Sequence, residues 1–153
     1  MPEAPLPEGK QATAIEIRWI FEAAREAVWK EWTEPERFAD WYGADAEVPI
    51  ETVEMDVRPG GKWRLVMHAP RGTIHWDGEY LEVAEPDRLV FTVTDQPEGD
   101  VYARCTVELT DLGDGRTEMR FEQTGGLPPA AFKAAREGWA TFFRKVDGRL
   151  AGG

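Results

Sequence analysis

"FKAAREGWATFFRKVDGRL", residues 132–150, is the stretch on which the fold turns. Phe132, Ala135, Arg136, Trp139, Phe142, Phe143, Val146 and Leu150 recur at spacings of three and four, the period of one helical face. From Pro128-Pro129, which open it, to Leu150 the segment predicts one amphipathic helix of about six turns. A helix with such an aromatic stripe must bury it against another layer. The rest of the chain says what that layer is.

Period two dominates upstream. "TAIEIRWIF", residues 13–21, sets Ile15, Ile17, Trp19 and Phe21 against Glu16 and Arg18, as a strand with one buried face does. In "EAAREAVWKEWTEPERFADWYG", residues 22–43, the period changes. Ala24, Val28 and Trp32 lie four apart with Trp29 offset, which predicts a short helix. Thr33, with Pro35 behind it and Glu36 three residues on, predicts the N-cap of a second short helix. That helix carries Phe38 and Trp41 inward and stops at Gly43.

Alternation returns at Val48. "ETVEMDV" points Val53, Met55 and Val57 one way, and Pro59-Gly60-Gly61 then reverses the chain, glycine supplying the positive φ of a hairpin loop. "KWRLVM" resumes with Trp63, Leu65 and Met67 on the inner face. "TIHWDGEYLEV", "RLVFTVT", "VYARCTVELT" and "TEMRFEQ" follow, separated by the turns "APRG", "EPD" and "GDGR". The opposite faces carry Arg, Glu and Thr, which suits the solvated side of an antiparallel sheet. The reading is α+β: a seven-stranded curved antiparallel sheet wrapped around a long C-terminal helix, with two short helices after strand 1. This is a helix-grip order. Its boundaries are a loose tail at 1–12, one domain at 13–150 and a short tail at 151–153.

Four motifs in that order carry a resemblance: "FEAAREAVWKEWTEPERFADWYG", "DVRPGGKW", "GEYLEVAEPDRLVFT" and "EGWATFFRKVDGRL". Together they resemble the activator of heat-shock-protein-90 ATPase homologue family, within the START-like (SRPBCC) superfamily that includes the birch-pollen-allergen fold. The resemblance covers nearly all of residues 13–150. It implies a deep apolar cavity between sheet and C-terminal helix and a role in binding hydrophobic small molecules. Superfamily members include lipid carriers, hormone receptors, and polyketide aromatases and cyclases. Ala24 stands where the family usually has proline. The eukaryotic co-chaperone adds a separate amino-terminal domain that engages the chaperone, for which 153 residues leave no room.

Composition narrows the partners. A formal net charge of −11 argues against nucleic acid and anionic membranes. No apolar run reaches the length of a membrane helix, and the polar, proline-rich start lacks a signal-peptide centre, so the expectation is a cytoplasmic protein. A single cysteine, Cys105, leaves no internal disulfide.

Periodicity directs Trp63, Met67, Trp76, Tyr80, Phe91, Met119, Trp139 and Phe143 inward, either lining a ligand cavity or filling a core. Cys105 on an apolar strand face and Phe132 on the helix stripe join this cavity set. Tyr80 and Arg136 are the polar groups expected to reach the cavity, a phenol donating to a carbonyl and a guanidinium holding an acidic ligand. His68, His75 and Asp77 approximate a metal set, but the alternation turns both histidines outward, so no metal is expected. No nucleophile stands beside a base, so no catalytic residue and no cofactor is assigned. The expected function is binding of a small apolar or amphipathic molecule. A chaperone partner, a cyclase- or aromatase-type activity and a homodimer remain open alternatives.

Overall fold

Alternating sequence becomes a single seven-stranded sheet in order β1-β7-β6-β5-β4-β3-β2, every neighbouring pair antiparallel. The computed structural model describes residues 14–43, 46–70, 72–97, 99, 102–125 and 131–151. Strand β1 (Ala14–Phe21) leads into helices α1 (Arg25–Thr33) and α2 (Pro35–Trp41), and a 3-10 turn (Ile50–Thr52) precedes β2 (Glu54–Met55). Strands β3 (Lys62–Ala69), β4 (Gly72–Ala84), β5 (Arg88–Val93), β6 (Ala103–Gly113) and β7 (Arg116–Thr124) follow in a meander. Helix α3 (Phe132–Ala151) closes the fold. The expected N-terminal tail, the proline pair and the last two residues lie outside the described residues.

Two local expectations need correction. Thr33 does not cap α2: it is the last residue of α1, and its hydroxyl donates to the carbonyl of Trp29 at 2.9 Å. Glu34 takes the N-cap place without a side-chain bond, because Pro35 at the first helical position fixes the entry φ by itself. "ETVEMDV" is a strand for two residues, since Thr52 closes a 3-10 turn onto Pro49.

The hairpin glycines hold different offices. Gly60 has φ +85, a left-handed conformation that side chains resist. Gly61 is needed for space, because a Cβ there would sit 1.9 Å from the Asp56 carbonyl oxygen. The turn seats Trp63 on the inner face with its indole N–H donated to Thr92 O at 3.0 Å.

Helices α1 and α2 plug one half of the concave face with aromatic bulk. The Trp32 ring lies 4.9 Å from Trp41, edge-on, and within about 6 Å of Phe38, Phe91, Phe121 and Phe143. Helix α3 is bound to this plug by charge. Glu31, 1 % exposed, accepts from Arg149 Nε at 2.6 Å and from Arg37 at 3.3 Å, while Arg149 also pairs with Asp40. On the outer face a ladder runs Glu16–Arg120–Glu108–Arg88–Glu82 across five strands. Exposed ion pairs of this kind add little each, and they keep the outer face wet.

Candidate ligand cavity

Space survives where the sequence runs out of large side chains. Around the first turns of α3, the end of β5 and the start of β6 lies a cavity of about 300 Å³, open to solvent on one side. Ala103, Ala135 and Gly138 stand on its walls, and a Cβ at Gly138 would meet nothing within 4 Å. Tyr42, Trp76, Trp139 and Phe142 supply broad apolar faces, and Val93 completes the floor. Tyr42 meets Trp76 edge-on at 5.5 Å and Trp139 at 5.9 Å, so these rings brace one another.

Few polar groups face this space. Gln123, 6 % exposed, accepts the Trp139 indole N–H at 2.7 Å and lies 4.0 Å from the Cys105 sulfur. Both neighbours are donors, because burial pushes the Cys105 thiol far up and keeps its proton on. The amide oxygen is therefore the atom turned to Trp139, and Nε2 is the free end. Burial likewise raises Tyr42 well above the ordinary phenol value, with smaller contributions from Cys105 and Asp95, so its hydroxyl stays neutral. Asp95 and Gln96 are exposed at the mouth, and Thr94 accepts the Gln96 backbone N–H at 3.0 Å. Among the described residues the lining holds no Lys, Arg or His.

Of the residues singled out by periodicity, Trp76 and Trp139 line this cavity. Trp63, Tyr80 and Phe91 face a separate gap of about 10 Å³, at or below the room one water needs. Met67 packs beneath Gly43, and Cys105, Met119 and Phe143 are wholly enclosed core. Phe132 is half-buried at the start of α3 and is not among the lining residues. Arg136 departs furthest from expectation. It is exposed and donates to the backbone carbonyl of Glu16, reaching over the sheet edge rather than into the cavity. β1 is an edge strand whose free carbonyls attract a donor.

Sequence reasoning missed Tyr42, Val93, Thr94, Asp95, Gln96, Gln123, Ala135, Gly138 and Phe142 as lining residues. Gln123 had a signal: it continues the inward parity of Met119 and Phe121. His68 and His75 are exposed, and His68 Nδ1 lies 3.2 Å from the Thr73 hydroxyl. Among the described residues no three His, Cys, Asp or Glu side chains are grouped to hold a metal. No described helix is long and apolar enough to cross a membrane.

Residues 22–151 match the family model described as Activator of Hsp90 ATPase homolog 1-like protein. No curated protein matches the chain. Several solved structures share the fold. A protein from Arthrobacter aurescens aligns with a TM-score of 0.78 at 23% identity, covering 94% of this chain and 88% of its own. One from Nitrosomonas europaea gives 0.77 at 23%, covering 92% and 96%, and one from Mycobacterium smegmatis 0.75 at 21%, covering 99% of both.

Proposed function

From the premise that this chain belongs to the Activator of Hsp90 ATPase homolog 1-like family, with a START-like fold, we propose that it binds a small, partly apolar molecule between α3 and the sheet. The observation that carries the reading is the open cavity of about 300 Å³, walled by four aromatic rings and spaced by Ala103, Ala135 and Gly138. Its size falls at the small end of ligand pockets, which suits a compound of one or two fused rings. Aromatic burial supplies affinity, at about 25 cal/mol per Å² of apolar area, and the polar groups fix orientation. Binding rather than catalysis is favoured, because the lining residues include no nucleophile with a base beside it.

The test is thermal stabilisation by bicyclic aromatic probes. Ala103→Trp fills the cavity from β6 and is expected to abolish the stabilisation while leaving the fold intact. Equal stabilisation of both proteins would place binding elsewhere and end the proposal.

A further inference from the structure

The cavity's interior offers donors, and the Trp139 contact fixes which atom of Gln123 does the offering. Trp139 Nε1 can only donate, so the amide oxygen of Gln123 is committed to it at 2.7 Å, with the Cys105 thiol on the same oxygen. The Nε2 end, with two N–H bonds, makes no hydrogen bond to another described residue. Tyr42, another lining residue, carries a second neutral polar group, its hydroxyl. Trp76 is also a lining residue, and its Nε1 is buried with no partner among the described residues. Acceptors and negative charge sit instead at the rim, on Asp95, and a cationic side chain is missing from the described lining.

Resting on the cavity reading above, we propose that the ligand is a neutral, planar ring compound that presents a hydrogen-bond acceptor, a carbonyl or a ring nitrogen, to Gln123 Nε2. A pure hydrocarbon would leave the amide N–H groups dry and unpaired, which disfavours it by about tenfold or more. A carboxylate would enter past Asp95 into a space with no counter-charge, which disfavours it further. Gln123 is on this account the specificity residue, and Trp139 is the group that orients it.

The experiment compares three probes of one shape by calorimetric titration at mildly alkaline pH: naphthalene, isoquinoline and 2-naphthoate. Isoquinoline is expected to bind about tenfold or more tightly than naphthalene, and 2-naphthoate most weakly. Gln123→Glu keeps an oxygen for Trp139, replaces the amide N–H groups by a second oxygen, and is expected to erase the isoquinoline preference. Should that variant not fold, the side-chain amide resonances of Gln123 in the unaltered protein serve instead, moving with isoquinoline and not with naphthalene. Equal affinity for naphthalene and isoquinoline would keep the cavity reading and overturn the acceptor inference. Tightest binding of 2-naphthoate would overturn the neutrality of the ligand. Binding of none of the three would remove the cavity reading, and this inference with it.

Discussion

Arg149→Met removes the guanidinium that reaches Glu31 at 2.6 Å and leaves a carboxylate of 1 % exposure with Arg37 alone, at 3.3 Å. Stranding one partner of a buried pair costs about 3–5 kcal/mol. The remaining Arg37 contact and the partial exposure of Arg149, 23 %, reduce that to about 2–3 kcal/mol. For a chain of this length the loss lowers the melting temperature by about 4–12 °C. The assay is urea unfolding followed by the fluorescence of the seven tryptophans. Adding Glu31→Gln to Arg149→Met removes the stranded charge and is expected to recover about 1 kcal/mol or more. A single-variant loss under about 0.5 kcal/mol would refute the reasoning. So would simple additivity of the two losses. Val146 and the half-buried Leu150 would then hold the end of α3 without help from charge.

Three further outcomes are expected. Gly60→Ala should cost about 1–2 kcal/mol for its left-handed φ, and Gly61→Ala more, because its Cβ collides with the Asp56 carbonyl; paired melting curves decide, and equal losses would contradict the division of roles. Burial raises Tyr42 and Tyr80 in the folded state, so the stability they contribute is full below about pH 10 and falls as pH rises beyond it. Phenolate absorbance should therefore show these two tyrosines ionising together with unfolding, and their smooth titration in the folded protein would count against their burial. The Arg120 hydrogen bond lowers Glu16, whose contribution is present above the ordinary carboxylate range and lost as pH falls through its lowered value. Carbon-detected titration should place its midpoint below the ordinary value, and Arg120→Met should bring it back up.

The sheet was legible because its faces differ. Trp63, Leu65 and Met67 alternate with Lys62, Arg64 and His68, and the structure keeps that alternation residue for residue along β3. The long helix was legible for the same reason, through Trp139, Phe143 and Val146. Period alone does not tell a wall from a filling, however, and here the difference lies in volume. Trp32, Phe38 and Trp41 occupy the half of the concave face that Trp63, Tyr80 and Phe91 look into. The half beside Ala103 and Gly138 is left vacant by small residues, and the period that places Ala103 and Ala135 inward is blind to their size. Arg136 shows a second limit. The helical period puts it on the stripe with Trp139 and Phe143, but it is exposed, and an edge-strand carbonyl, known only from the strand order, claims its guanidinium.

The most direct test of the central claim is a nitrogen–proton correlation spectrum of the tryptophan side chains, recorded as isoquinoline is added. The cavity account predicts that the indole signals of Trp139 and Trp76 move, since both rings line the space. The signal of Trp19, paired with Asp147, and that of Trp41, donated to the Glu31 carbonyl, are expected to stay still. Movement of Trp19 or Trp41 with Trp139 unchanged would contradict the account, and so would seven signals that do not respond.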